Sequence, residues 1–387
     1  MSLSARQTSA YFAAFFVLGA TIASLGPTLP YLAENTGATL ASLGLLFTLR
    51  SGGYLVGSLL GGRLYDHLPG HRLLGIAIFV GALSLGTIPQ ISSFAIIIAL
   101  MLLIGLAEAT LDVGSNTQLV WIHGARSGPY LNGMFLFAGV GGMLSPLLLS
   151  SLGGTAGYRI LALGSLPVAL WALFTPSPPR QAHEEDRPAG TLPLLLFATF
   201  CLVTFIFIGG EVGFSGWIYS YAYELGLGTE QTAGMLTSFY WLGITLGRVA
   251  AIFITARFKP SRIVLANLTG LIISLGLILL NPASQIFLWI GSLGFGFFLA
   301  PVFPTTFAYL ERKTPITGAA AGVLWASGSF GAMVYPWVMG LQMADIGPVS
   351  IMVTLAASFG LSLILFGWVA RQLGSTTTER TENTELI

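Results

Sequence analysis

Apolar residues run through the chain in long stretches that short turns containing Gly, Pro or Asn interrupt. A helix needs about 20 apolar residues to cross the hydrocarbon core of a bilayer. Stretches of that length predict twelve transmembrane helices, near residues 9–32, 40–65, 72–91, 93–121, 128–151, 156–174, 192–223, 230–255, 262–280, 284–309, 316–342 and 348–370. We therefore predict an all-α membrane protein.

One polar segment divides these helices six and six. Residues 175–191 read TPSPPRQAHEEDRPAGT, and their proline and charge content is typical of a linker. We predict four units: an N-terminal six-helix bundle at 1–174, a cytoplasmic linker at 175–191, a C-terminal six-helix bundle at 192–373 and a cytoplasmic tail at 374–387.

Composition agrees with this class. Hydrophobic residues make up 54% of the chain and charged residues 8%, whereas soluble domains carry about 25% charged residues. The net charge of +1 gives no basis for a nucleic-acid partner. A single cysteine, Cys201, excludes an intrachain disulfide framework. We expect no metal and no cofactor, a lipid bilayer and a small solute as partners, and a monomer.

The basic residues set the orientation. If the N-terminus is cytoplasmic, thirteen of the 16 Lys and Arg residues fall in cytoplasmic segments: Arg6, Arg63, Arg72, Arg126, Arg180, Arg187, Arg257, Lys259, Arg262, Arg312, Lys313, Arg371 and Arg380. Cytoplasmic loops of membrane proteins are enriched in these residue types. We therefore predict that both termini are cytoplasmic and that the protein resides in the plasma (inner) membrane.

The two halves repeat each other at an offset of 190 residues. Four positions of the second predicted helix match four of the eighth without a gap: Gly44, Leu46, Gly53 and Gly57 against Gly234, Leu236, Gly243 and Gly247. Because each copy has six helices, both copies run in the same direction, and their symmetry axis lies along the membrane normal.

The loop after the second predicted helix carries the most specific motif. Residues 61–72, GGRLYDHLPGHR, resemble the signature loop of the major facilitator superfamily, with matches at Gly62, Leu64, Asp66 and Arg72. The resemblance implies the major facilitator fold, two pseudo-symmetric six-helix bundles with the substrate between them near the midplane.

In that family the loop staples the two halves together in one conformation. The second copy, residues 252–262, has Ala256 where an acid is expected. The resemblance therefore implies a conformational staple that rests mainly on the first copy and is formed by Gly62, Asp66, Arg72, Arg257 and Arg262.

Four shorter blocks, residues 25–37, 50–62, 111–117 and 209–222, resemble the branch of sodium-dependent glucose transporter 1 and the fucose permeases. That branch imports sugars together with a proton or a sodium ion. The resemblance implies secondary active transport of a small polar solute, foremost a sugar, by alternating access coupled to a cation. We favour the proton, because it needs only a carboxylate, whereas sodium needs several further oxygens.

Four charged residues lie well inside predicted helices, where a charge costs at least ~2.5–3.5 kcal/mol: Arg50, Glu108, Asp112 and Glu211. Glu108, Asp112 and Asn116 are spaced four residues apart and share one helical face. We assign Arg50, Asp112, Glu108 and Glu211 to a coupling network and expect Arg50 to pair with Asp112. A purely structural salt bridge is the alternative.

Candidate substrate ligands surround these charges. Glu211 lies among four glycines, which predicts a loosened helix beside a cavity. Trp217 follows, and aromatic planes stack on the C–H faces of sugars; an interfacial aromatic belt is the alternative for this residue. The candidate substrate-binding residues are Glu211, Trp217, Asn116, Asn132, Gln118 and Glu108.

Other functions fit less well. A drug or metabolite proton antiporter of the same superfamily is one alternative, and a non-transporting membrane nutrient sensor is another. An ATP-driven pump is excluded because the chain lacks the phosphate-binding motif G-x4-G-K-[ST]. Residues 213–216 read GFSG, but the four histidines fall in predicted cytoplasmic loops, so Ser215 has no base to activate it. We expect no enzymatic activity.

Overall fold

The computed structural model describes residues 2–179, 193–313 and 318–384. Within these ranges the chain forms thirteen α-helices and no strand: α1 Leu3–Ile22, α2 Leu25–Thr36, α3 Leu40–His67, α4 Gly70–Thr87, α5 Phe94–His123, α6 Ser127–Leu173, α7 Leu194–Glu224, α8 Glu230–Thr255, α9 Pro260–Leu280, α10 Gln285–Leu299, α11 Val302–Lys313, α12 Gly318–Asp345 and α13 Val349–Thr384. The linker residues from 180 onward lie outside the described ranges.

Two predicted transmembrane helices are broken by proline. α1 and α2 form one span that bends by 47°, and α10 and α11 meet at Ala300–Pro301. Proline has no N–H to donate to the carbonyl four residues earlier. Pro27 therefore leaves the carbonyl oxygen of Ala23 without its helical hydrogen-bond donor, and Pro301 does the same to the carbonyl oxygen of Phe297. The two helices break at these points.

Two other predicted helices are joined in α6, which is 47 residues long. At about 1.5 Å per residue a straight helix of that length would be twice as long as the bilayer core is thick. The chain turns at Gly153, whose φ of 79° and ψ of 161° lie outside the helical region and which only glycine adopts without strain. α6 thus contains two successive spans.

The predicted fold class is confirmed. In the described ranges nine helical segments are long and apolar enough to cross a membrane, and the bent α1–α2 pair makes ten. α6 accounts for two spans. α12 is richer in Gly, Ala and Ser and packs between α3 and α7 as the twelfth span. α13 stays helical to Thr384, well beyond the predicted end of its span.

Glycines let α3 and α5 pack with their backbones in contact. A Cβ at Gly105 would overlap the Arg50 carbonyl oxygen, and a Cβ at Gly53 would overlap that of Leu102. The same packing recurs in the second half at the aligned positions, where Gly243 lies against Leu293 and Gly296 against Tyr240. These contacts fix the register of the two helices in each pair.

Within the described residues the two halves meet mainly along three helix pairs, α3 with α12, α6 with α8, and α2 with α7, with a smaller contact of α2 with α8. We call the end of the molecule where α1 begins and α3 ends the basic end, because it carries Arg6, Arg63 and Arg72. The close contacts of α3 with α12 lie toward the opposite end, for example Gly44 against Trp337.

Toward the basic end α3 and α12 diverge. Leu59 on α3 is 65% exposed and Trp325 on α12 is 48% exposed, although both lie on the extensions of the faces that touch each other nearer the opposite end. The space between α3 and α12 therefore opens at the basic end.

The backbone contact between α3 and α5 predicts a specific intolerance. Gly105→Ala should destabilise the protein by about 1–3 kcal/mol, the usual effect of overpacking, because the new Cβ overlaps the Arg50 carbonyl oxygen. Gly164→Ala is the matched control, since no atom lies within 4 Å of its added Cβ. Thermal unfolding of both purified variants in detergent checks this, and equal melting temperatures would contradict it.

Candidate functional site between the two halves

Arg50 on α3 forms a bidentate salt bridge with Glu108 on α5. Its Nε donates to Glu108 Oε2 at 2.9 Å and its Nη2 donates to Oε1. Arg50 is 8% exposed and Glu108 is 6% exposed. Nη1 also donates to the carbonyl oxygen of Ile22 at 3.4 Å, at the bend between α1 and α2. The pair therefore ties α3 and α5 to the broken first span.

The predicted pairing of Arg50 with Asp112 is wrong, and the register of the helices explains why. α3 and α5 run parallel, so residues 58 apart lie side by side: Arg50 beside Glu108, and one turn later Tyr54 beside Asp112. Spacing along α5 placed both acids on one face but did not reveal which of them is level with Arg50.

Asp112 is instead held by two neutral donors. The hydroxyl of Tyr54 donates to Asp112 Oδ2, and Asn116 Nδ2 donates to Oδ1 at 2.7 Å. All three side chains are partly exposed although they lie in the interior of their helices. Asp112 and Asn116 thus lie on one helical face as predicted, and Asn116 donates a hydrogen bond to the carboxylate of Asp112.

Glu211 on α7 is also partly exposed, and within the described residues no hydrogen-bond donor reaches its carboxylate. Arg248 on α8 is close enough to interact with it electrostatically. The hydroxyl of Tyr240 is likewise within electrostatic reach of Glu211 and is buried without a hydrogen-bond partner among the described residues. Glu211 is therefore the carboxylate of this site with free hydrogen-bonding capacity.

Arg248 joins the two halves, a role that its sequence position did not indicate. Its Nη1 donates to the Phe135 carbonyl oxygen on α6 at 2.9 Å, and its guanidinium carbon lies 5.3 Å from the centre of the Phe135 ring. It also interacts electrostatically with Asp112 in the first half. Arg248 lies seven residues before the end of α8, where a long side chain can also reach out to water. Its sequence position therefore did not indicate a contact between the halves.

The charges of this site do not balance. Arg50 and Glu108 neutralise each other. Arg248 is the one cation that faces Asp112 and Glu211 together within the described residues. With all three ionised, the space between the halves carries a charge of −1. Such a charge is costly away from bulk water, which makes the site suitable for one additional monovalent cation.

Three of the predicted substrate ligands do not lie beside Arg248, Asp112 and Glu211. Trp217 is fully buried, donates its Nε1 to the Pro336 carbonyl oxygen at 2.9 Å and packs against Phe47; it closes the contact between the halves near the opposite end. Gln118 is fully buried against Gly70, between α4 and α5. Asn132 is exposed at the start of α6, near the basic end.

The glycines around Glu211 do not break its helix. α7 is continuous from Leu194 to Glu224, contrary to the prediction of a loosened segment. These glycines instead admit side chains from neighbouring helices: Gly209 contacts Tyr335, Gly210 contacts Phe359 and Gly216 contacts Phe47. The glycine density reflects close packing of α7.

The predicted staple at the basic end stays a prediction. Arg72, Arg257 and Arg262 are exposed. Gly62 and Asp66 fall outside the part of the chain described at the level of side chains, so no partner can be assigned to the acid.

The buried salt bridge predicts a non-additive pair of substitutions. Arg50→Met alone leaves Glu108 buried without a counter-ion and should cost about 3–5 kcal/mol of stability. Adding Glu108→Leu removes the unpaired charge, so the double variant should unfold at a higher temperature than the single one. Thermal unfolding in detergent measures this, and a double variant less stable than Arg50→Met would refute the assignment.

Comparison with known proteins identifies the family. The model of the Major Facilitator Superfamily matches residues 11–336. Sodium-dependent glucose transporter 1A of Mus musculus is 27% identical over 375 residues, covering 85% of this chain and 88% of the relative. Sodium-dependent glucose transporter 1 of Homo sapiens is 28% identical over 400 residues, covering 91% and 77%. Major facilitator superfamily domain-containing protein 4A of Mus musculus is 27% identical over 483 residues, covering 97% and 94%.

Solved structures share the fold at low sequence identity. A variant of the nucleoside transporter NupG superposes with a TM-score of 0.79 at 15% identity, covering 95% of this chain and all of that chain. A bacterial homologue of the lysosomal transporter Spinster, in an inward-facing and unoccupied conformation, gives a TM-score of 0.75 at 12% identity, covering 97% and 98%. With its family model matched over most of its length, this chain belongs to the Major Facilitator Superfamily of membrane transporters.

Proposed function

We propose that this transporter imports a sugar together with one proton, and that Glu211 carries the proton. The observation behind this proposal is the partly exposed carboxylate of Glu211, which lies at the interface of the halves without a hydrogen-bond donor among the described residues. Protonation of one carboxylate cancels the charge of −1 between the halves. A loaded site is then neutral and costs less to move through the bilayer.

The chemistry of the two carboxylates favours a proton over sodium. Asp112 accepts hydrogen bonds at both of its oxygens, and those donors compete with a metal ion for the same lone pairs. Glu211 is free to take up a cation, but a hard metal ion needs several oxygen ligands. A proton needs only the carboxylate itself.

A neutral polyol suits the remaining groups. Tyr54, Asn116 and Glu211 offer a hydroxyl, an amide and a carboxylate, which together can donate and accept hydrogen bonds. Two relatives at 27–28% identity bear the name sodium-dependent glucose transporter 1A or 1. These features support a sugar as the substrate class. The coupling ion that we propose, a proton, differs from the sodium that the names of these relatives mention.

The direction of access follows from the distribution of charge. The space between α3 and α12 opens at the basic end, and basic residues favour the cytoplasmic side. We therefore propose that the structure corresponds to a state open to the cytoplasm, in the plasma membrane, with both termini cytoplasmic. Alternating access then requires the contacts near the opposite end to separate and the basic end to close.

The orientation predicts opposite accessibility of two exposed residues near the two ends of the molecule. In a Cys201→Ser background, Lys259→Cys at the basic end should react with a membrane-impermeant maleimide only after the cytoplasmic face is opened to the reagent. Glu34→Cys at the opposite end should react in intact cells. Labelling of both residues from the same side would contradict the proposed topology.

If Glu211 carries the proton, Glu211→Gln should lose proton-coupled sugar uptake. In sodium-free proteoliposomes, wild-type protein should move protons inward when a transported sugar is added, chosen from D-glucose, D-galactose, D-mannose and L-fucose. Glu211→Gln should abolish proton movement and reduce sugar accumulation at least about tenfold, because a neutral amide cannot take up the proton.

Glu224→Gln, an exposed acid at the end of the same helix, is the matched control and should behave as wild type. Uptake that requires sodium and moves no protons would contradict the proposed coupling and would direct attention to Asp112.

A further inference from the structure

We propose that Trp325 on α12 is the aromatic platform on which the sugar ring stacks, in the role that the sequence suggested for Trp217. This inference rests on the proposed function, because it names the residue that recognises the apolar face of the substrate. Pyranose sugars present C–H groups on their faces and hydroxyls around their edges, so recognition requires an exposed ring beside hydrogen-bonding groups.

The helical position of Trp325 directs it toward the other half. α12 contacts α3 through Ala332, whose carbonyl oxygen accepts a hydrogen bond from Ser51, and through Pro336, whose carbonyl oxygen lies against Gly44. Trp325 precedes these residues by seven and eleven positions. At about 100° per residue, both intervals return to within 20° of the same face. Trp325 therefore continues the face of α12 that meets α3.

The surroundings leave Trp325 open on that face. It is 48% exposed, and Leu59 on the diverging part of α3 is 65% exposed. Phe303 on α11 supports the indole from behind, with ring centroids 4.7 Å apart at an interplanar angle of 59°. The ring is thus held in place by one neighbour while its other side faces the space between the halves.

A chain of aromatic contacts connects Trp325 to Glu211. Phe207 lies one helical turn before Glu211 on α7 and stacks on Phe303, with centroids 6.0 Å apart and the planes at 18°. Phe303 in turn contacts Trp325. Glu211 and Trp325 therefore belong to the same wall of the second half, with Trp325 nearer the basic end.

Tyr54 completes the arrangement from the first half. Its hydroxyl holds the carboxylate of Asp112 and is within electrostatic reach of Glu211 in the second half. A sugar between α3 and α12 would have its C–H face on Trp325 and its hydroxyls toward Glu211 and Tyr54. A tryptophan of an interfacial belt would instead point to lipid, away from the face of α12 that contacts α3.

The test compares Trp325 with a tryptophan away from the contacts between the halves. Trp368 is 37% exposed and lies on α13, which packs mainly against α7, α9 and α12 of its own half. Sugar uptake is measured in proteoliposomes with the panel named above. Trp325→Ala should raise KM at least about tenfold with little change in maximal rate, as expected when binding is lost in ground and transition state alike. Trp325→Phe should keep KM within about threefold of wild type, and Trp368→Ala should leave it unchanged.

A second measurement does not depend on the alanine variant folding. Addition of the transported sugar should change the tryptophan fluorescence of wild type and of Trp368→Phe, and the change should be absent in Trp325→Phe. A wild-type KM in Trp325→Ala, or an unchanged fluorescence response in Trp325→Phe, would overturn the inference while sugar transport stands. Failure of wild-type protein to take up any sugar of the panel would overturn the proposed function and this inference with it.

Discussion

The cost of holding an ionised side chain away from water governs the arrangement of this protein. Arg50 and Glu108 can lie in the interior of the first half because they neutralise each other through two hydrogen bonds. That geometry requires α3 and α5 to approach until their backbones touch, which the glycines at 53 and 105 permit. The same approach aligns Tyr54 with Asp112 one turn later, so a single packing contact organises both acidic residues of α5.

The remaining charges lie where the halves meet. Arg248 is bonded to the first half through Phe135 and interacts with a carboxylate of each half, Asp112 and Glu211. Because Arg248 can neutralise only one of these two acids, one negative charge remains. Neutralising that charge changes the electrostatic attraction between the halves. A proton on Glu211 would leave Arg248 with Asp112 alone. Under the proposed function, cation binding and movement of the halves would be linked through Arg248.

The sequence predicted the elements better than their mutual alignment. Apolar stretches located the spans within a few residues, and the repeat at Gly53 and Gly243 corresponds to the same backbone contact in both halves. Arg50 was paired with the wrong acid because spacing along one helix carries no information on the register of its neighbour. Trp217 was predicted as a ligand because residue type does not distinguish a ring that fills an interface, as Trp217 does, from one that faces a cavity.

The central claim is that one proton neutralises the site on each transport cycle. It is tested most directly by the proton-to-sugar stoichiometry, measured from the pH gradient at which net sugar flux reverses against a fixed sugar gradient in sodium-free proteoliposomes. The charge balance of Arg248, Asp112 and Glu211 predicts one proton per sugar in wild-type protein. A reversal point that does not move with the pH gradient, or that moves only when sodium is added to impose a sodium gradient, would contradict it.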